Sequence, residues 1–428
     1  MRRLASNAGL LTLSMVVNAA CTLLVQVFSA RALPIEVFGL YAASSALVAM
    51  IESMVVSRAG DLALNFVGES MAQGRYALAR GQARQIIRSD VLITAVVTVA
   101  VAVSGWALSG WLAIEPLWTA VLALSIVVQA GYGVNKNLLV VQHRIRVQAA
   151  LEIAYSLFWA MASLAAVWAW GALGLALAYL AGSVLRSGAA HLAVRSIWPT
   201  NEASTAADLP ARTLWAWSGQ ALARNAVMRL SGQIDLFILA AVAGPVAVGQ
   251  YKVAKTLSAL PVRVAGPVWG ALRPALYNAW MTADRSKFFR LIAYPSLIML
   301  AFAIPGLGLV GLIGKDLLTR FYGADYAGAF VPLLFLLGGC WAFQGANGWF
   351  EFWILFSRRR YWSTVLYALF CLAVAAAAPM LQHVAGVDGE ALSLAAIMAV
   401  LFCLMSFAAW GVVLLTRCPD QGGPSDSR

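Results

Sequence analysis

Charge is scarce in this 428-residue chain, with Asp, Glu, Lys and Arg together at 11%, against about 25% in a soluble domain. Disorder is excluded, because an unfolded chain needs high charge and few apolar side chains. Thirty Lys and Arg against eighteen acids give a formal charge of +12, but a nucleic-acid binder carries its basic face on a polar body. Here the cations sit in short gaps between long apolar runs. Cysteine is also rare. Cys21, Cys340, Cys371 and Cys403 lie inside apolar runs, Cys418 lies in the tail, and no CxxC pair occurs, which excludes a disulfide scaffold, a zinc ribbon and a dithiol redox motif. His143, His191 and His383 are scattered and suggest no metal site. A P-loop lysine motif is missing, as is any polar gap long enough for a soluble catalytic domain. The chain is therefore not expected to be an enzyme, and no cofactor is expected. Gly306-x-Gly308-x-x-Gly311 has the letters of a dinucleotide fingerprint. That motif needs a strand before it and a helix start after it, whereas this one follows Pro305 within an apolar run.

What is present is apolar sequence: 62% hydrophobic residues and a mean hydropathy of +0.80. This is the composition of an all-α polytopic membrane protein. A spanning helix takes about 20 mostly apolar residues. Such runs occur at 9–30, 38–57, 90–110, 117–141, 151–170, 172–190, 219–243, 249–272, 291–314, 329–356, 362–385 and 390–415. Twelve helices are predicted, the pair around Gly171 being the least separated. Arg2-Arg3 and Ala30-Arg31-Ala32 imitate the flanks of a signal peptide. The apolar stretch between them is longer than the usual 7–15 residues or so, so an uncleaved first helix is expected.

Cations fall mainly in alternate gaps. Arg2, Arg3, Arg58, Arg75 to Arg88, Arg144, Arg146, Arg186, Arg195, Arg212, Arg273 to Arg290, Arg358 to Arg360, Arg417 and Arg428 share one side. Only Arg31, Lys315 and Arg320 fall on the other. By the positive-inside rule both termini are expected in the cytoplasm.

Two stretches share a layout at an offset of 210 residues: Ala30 to Tyr41 (ARALPIEVFGLY) and Ala240 to Tyr251 (AAVAGPVAVGQY). Gly39 matches Gly249 and Tyr41 matches Tyr251, and an arginine-rich loop follows each second helix. Two six-helix pseudo-symmetric bundles around a central cavity are predicted, with the transport site between the halves. Residues 1–196 form the first bundle and 213–428 the second with a short polar tail. Residues 197–212, rich in Pro, Asn, Asp and Ser, form a cytoplasmic linker.

Six cations fall inside predicted spans: Lys136, Arg224, Arg229, Lys252, Lys255 and Arg263. Lys136, Arg224 and Lys252 lie near span ends, within reach of the interface by snorkelling. Arg229, Lys255 and Arg263 lie deeper, and each would cost about 2.5–3.5 kcal/mol facing lipid. At about 100° per residue, Lys252 and Arg263 share one face of span eight, with Lys255 to its side. Gln220, Arg224, Ser231 and Asp235 form a stripe on span seven; Asn7, Ser14, Asn18, Thr22 and Ser29 form one on span one. These stripes describe either a hydrophilic cavity or interhelical hydrogen bonds that hold the bundle. Glu52 is a candidate salt-bridge partner for Arg263 across the halves, and Asp235 for Arg224. A cationic cavity selects an anionic cargo, and arginine's planar fork suits phosphate.

The hairpin Arg31-Ala-Leu-Pro-x-x-x-Phe-Gly-x-Tyr41, the repeat at Gly249-Gln-Tyr251, Phe321-Tyr-Gly-x-Asp-Tyr326 and the stretch Leu138 to Arg146 resemble the polysaccharide-transporter family. These are the O-antigen and exopolysaccharide repeat-unit flippases of the multidrug/oligosaccharidyl-lipid/polysaccharide exporter superfamily. The resemblance implies a V-shaped twelve-helix transporter of the bacterial inner membrane. It would move undecaprenyl-diphosphate-linked oligosaccharide outward by alternating access, for lipopolysaccharide or exopolysaccharide biosynthesis. The diphosphate would meet Arg224, Arg229, Lys255 and Arg263, with Lys252 beside them. Implied partners are the lipid-linked oligosaccharide, membrane lipids and the polysaccharide polymerase machinery, but no nucleic acid, and the transporter is expected to be a monomer. The rival expectation is a cation-coupled drug or metabolite exporter of the same fold, with Asp235 as a candidate coupling carboxylate.

Overall fold

The computed structural model describes residues 2–196, 209–260, 284–342, 361–381 and 393–405, with isolated positions between 272 and 282. Among the described residues every element is helical and no strand occurs. The helices are α1 (Arg2–Ala32), α2 (Ile35–Leu62), α3 (Gly68–Ala72), α4 (Tyr76–Leu108), α5 (Pro116–Val128), α6 (Tyr132–Val141), α7 (Ile145–Arg195), α8 (Ala211–Ser231), α9 (Ile234–Val242) and α10 (Gly244–Ser258). Apolar helices at Arg285–Tyr322, Ala324–Ala342, Tyr361–Leu381 and Ser393–Met405 follow.

Described helix falls on each of the twelve predicted segments. By length and composition, six of the described helices can cross a membrane, or up to eight if each bent pair counts as one span. One of the six is α7, whose 51 residues would measure about 75 Å if straight, at 1.5 Å per residue. That far exceeds the roughly 30 Å of hydrocarbon. The excess is resolved at Gly171, whose backbone (φ 58°, ψ −136°) leaves the helical region for one that essentially only glycine occupies. Beyond it the chain folds back: Gly174 packs on the Ala166 carbonyl, Gly182 on Tyr155 and Trp159, and Arg144 Nη1 reaches Ser196 Oγ at 2.8 Å. So α7 is a helical hairpin, as the sequence expects of the two runs flanking Gly171.

Other breaks have equally local causes. Pro34 separates α1 from α2, since proline disfavours helical geometry in the residue before it and fits at a helix start. A π-turn, Ala63–Val67, continues α2 into α3 without leaving the helix path. The predicted fourth span bends by 43° between α5 and α6, and the seventh by 56° between α8 and α9.

The helices are inside out relative to a soluble protein. On α4, Asp90, Thr94 and Thr98 are buried, while Val96, Val99, Val103 and Trp106 are each more than 60% exposed. Arg285–Tyr322 likewise presents Leu297, Phe302, Ile304 and Leu312 outward, and it absorbs the Gly306 to Gly311 run within continuous helix. Apolar exposure on this scale is unfavourable in water and costs nothing against lipid. The chain is a multi-pass membrane protein.

By compactness the chain divides into Met1–Lys252 and Val253–Arg428. The first unit includes α8 and α9 because α8 packs extensively on α2. In the second, Gly339 packs on the Ala399 backbone and Phe370 stacks on Phe402 at 5.6 Å.

Candidate functional site

The basic positions predicted on span seven lie where α8 packs on α2. Leu214, Ser218 and Asn225, at successive spacings of four and seven, turn inward on one face, while Arg224 and Arg229 remain exposed. Arg229 Nη2 donates to Ser57 Oγ at 3.3 Å and Asn225 Nδ2 to Asp61 Oδ2 at 3.5 Å. Both arginines are within electrostatic reach of Asp61. Two guanidinium groups therefore share this one carboxylate, which leaves a local excess of positive charge. Asp61 lies beyond the predicted end of the second span at residue 57, whereas α2 continues to Leu62.

The stripe on α8 is divided by the bend. Arg224 is exposed, whereas Ser231 and Asp235 are buried. Asp235 lies in the first turn of α9, accepts from Tyr251 Oη at 2.7 Å and caps its own neighbour's backbone at Leu236.

Glu52 is almost fully buried in α2 and held by neutral donors of its own bundle. Ser125 Oγ and Gln129 Nε2 donate at 2.7 Å each and Tyr179 Oη bridges both oxygens at 3.1 Å, while Gln129 Nε2 also reaches Ser183 Oγ at 3.1 Å. The predicted partner Arg263 lies outside the described residues. Asn18 donates to Ser156 Oγ at 3.0 Å, tying α1 to α7. Gln26 Nε2 donates to the backbone oxygen of Lys252 at 3.3 Å. The side chains of Lys252 and Lys255 are half-buried, Lys255 in the second unit.

Three ion pairs among the described residues lie outside the sequence expectations. Arg186 grips Glu152 with one nitrogen at 2.9 and 2.8 Å, and Tyr132 Oη and Lys136 Nζ complete the carboxylate at 2.7 and 3.2 Å. The Arg186 guanidinium is sandwiched between the Tyr132 and Tyr155 rings, at 4.5 and 4.7 Å from their centroids. Lys136 is thus committed to an internal partner, correcting the expectation that it merely snorkels. Arg58, counted with the loop cations, is fully buried and paired with Asp90, whose other oxygen accepts from the Gly131 N–H at 2.7 Å. The left-handed φ of Gly131 (75°) aims that N–H. One signal was available for the first pair: Glu152 and Arg186 lie at comparable distances on either side of Gly171, so a hairpin brings them level.

Among the described residues, no group of three or more His, Cys, Asp or Glu could hold a metal ion.

The chain matches the model of a family described as polysaccharide biosynthesis protein over residues 4–280. No curated protein matches it in sequence. In structure it is similar to a multidrug resistance MATE family transporter of the MOP superfamily in an inward-facing conformation, with 12% identity, TM-score 0.74, and 93% of this chain and 94% of that one covered. It is also similar to the Vibrio cholerae MATE transporter VcmN, with 12% identity, TM-score 0.64 and 96% of each chain covered. A eukaryotic MATE transporter gives 12% identity and TM-score 0.62, with 97% and 96% covered. At such identities the likeness is one of fold.

Proposed function

Since the chain belongs to the polysaccharide biosynthesis protein family, we propose that it is a flippase for undecaprenyl-diphosphate-linked oligosaccharide in the bacterial inner membrane, with both termini in the cytoplasm. The coarser reading, a membrane exporter, is supported by that family and by the transporter fold. The observation that carries the finer one is the excess of positive charge where α8 meets α2: Arg224 and Arg229 exposed beside the single carboxylate of Asp61.

A diphosphate carries the opposite charge and several acceptor oxygens, which planar guanidinium groups engage bidentately. Arg229 is lightly held, by one hydrogen bond of 3.3 Å to a serine hydroxyl, so it can exchange Ser57 for phosphate at small cost. Lys252, Lys255 and Arg263 of span eight are proposed as further contacts for the diphosphate. The prenyl tail stays in lipid while residues 1–196 and 213–428 rock about the head group, joined by 197–212. The cargo alternates between the two sides and the protein forms no covalent bond with it. On this reading it works as a monomer that feeds polysaccharide polymerase machinery, for lipopolysaccharide O-antigen or exopolysaccharide.

Replacing Arg224 and Arg229 together by Gln is expected to lower surface glycan at least tenfold with the protein still present in the membrane. Normal glycan from that variant contradicts the proposal. The second reading, a cation-coupled drug or metabolite exporter, has in its favour the carboxylate of Glu52, buried among neutral donors. It predicts that Glu52→Gln abolishes drug efflux while surface glycan is unchanged.

A further inference from the structure

A second cationic site lies in the first unit, at residues distinct from the surface formed by Arg224 and Arg229. With 33 residues, α4 is about 50 Å long at 1.5 Å per residue, more than the roughly 30 Å of hydrocarbon. Its apolar stretch begins after Asp90, so the turns carrying Arg80, Arg84 and Arg88 project past the apolar layer. There a cavity of about 180 Å³ opens between α4, α6 and the end of α7. Arg80, Arg84, His191 and Arg195 line it. No carboxylate is among the lining residues, and the single carboxylate of α4, Asp90, is occupied by Arg58 and the Gly131 N–H.

Two further features point to a ligand. Asn135 lines the cavity at 4% exposure, and its carboxamide makes no hydrogen bond with a described residue. That amide is open to a hydrogen bond from a group that enters the cavity. The inner wall is apolar, built from side chains such as Ile87, Leu138 and Val194, and it adjoins an outward-facing surface where Leu192 is 64% exposed. Cations at the mouth and an apolar wall behind them fit an amphiphile with an anionic head.

We propose that this cavity binds an anionic glycerophospholipid. Arg80, Arg84 and Arg195 take the phosphodiester, Asn135 hydrogen-bonds the head group, and an acyl chain lies along the apolar wall. Arginine forks match phosphate oxygens, and basic pockets between helices at a membrane surface are suited to anionic head groups. The inference does not rest on the flippase reading, because it shares no residue with the surface on α8.

The test is lipid binding to the purified full-length protein by native mass spectrometry and thermal shift. The probes are phosphatidylglycerol, phosphatidylcholine with the same acyl chains, and inorganic phosphate. Wild type is expected to retain and be stabilised by phosphatidylglycerol only. At about 1 kcal/mol per basic residue near a membrane surface, each Arg→Gln change weakens binding about fivefold, and R80Q/R84Q/R195Q on the order of 100-fold. K315Q, at an exposed lysine elsewhere, leaves binding unchanged. If the triple variant does not fold, R84Q and R195Q at exposed positions still report the fivefold step. Equal binding by wild type and the arginine variants overturns the proposal, as does equal stabilisation by phosphatidylcholine. Stabilisation by inorganic phosphate that matches phosphatidylglycerol also overturns it, by assigning the site to a free anion.

Discussion

Gly39 lies against the backbone carbonyl of Pro245 so closely that no Cβ fits between them. Gly249 meets Ile35 in the same manner, a Cβ there falling 3.1 Å from the Ile35 carbonyl oxygen. Positions 35 and 245, like 39 and 249, are separated by the same offset at which the sequence repeats. The contact is therefore reciprocal, as at an interface between two-fold-related partners. It brings the start of α2 against the start of α10, within the first compact unit.

If transport requires this crossing to open and close, holding it shut stops transport. Ile35→Cys with Gly249→Cys is expected to form a disulfide under mild oxidation, abolish export and regain it on reduction. Gly39→Leu, which cannot fit the crossing, is expected to lower export at least tenfold. It also destabilises the protein by about 1–3 kcal/mol through overpacking. Full export by the oxidised cysteine pair contradicts a moving crossing.

The hairpin in α7 makes a topological prediction. In a cysteine-free background, His143→Cys and Ser196→Cys should react with an impermeant maleimide from the same side of the membrane, and Trp170→Cys from the opposite side. Labelling of residues 143 and 196 from opposite sides would mean that α7 crosses once. Gly171→Val is expected to cost about 1–3 kcal/mol, because a side chain is strained at that backbone geometry; a lowered unfolding midpoint in detergent checks it.

The Glu152–Arg186 pair predicts strong coupling. Removing Glu152 leaves the Arg186 charge without its carboxylate, and removing Arg186 leaves Glu152 with Lys136 alone as a cation; the loss is about 3–5 kcal/mol for a fully buried pair. The lower end applies here, since the two side chains are 18% and 21% exposed. Glu152→Leu and Arg186→Met should each lower the unfolding midpoint markedly, and the double variant should be more stable than either. Additive losses in the double-mutant cycle would show the pair to be uncoupled.

The apolar runs made the helices legible, and Gly171 marked the narrowest turn correctly. Arg58 shows where reading by hydropathy stopped. A charge judged alone belongs outside the membrane, but Arg58 is neutralised by Asp90 on another helix, and hydropathy carries no record of partners. Lys136 is hidden from hydropathy in the same way, because its partner Glu152 lies across the α6–α7 turn. The stripe on α1 was visible as a stripe, but one face of a helix does not say whether it meets water or a neighbour; Asn18 meets Ser156. The repeat offers Glu52 as a partner for Arg263, while its observed donors Ser125, Gln129 and Tyr179 are brought to it only by the fold.

The central claim is tested most directly with purified protein in liposomes containing a fluorescent polyprenyl-diphosphate oligosaccharide, by following the loss of inner-leaflet label to an external quencher. Wild type is expected to expose the inner-leaflet label, and the Arg224→Gln/Arg229→Gln variant to do so at least tenfold more slowly. Exposure no faster than in empty liposomes, or equal rates for both proteins, would contradict the account.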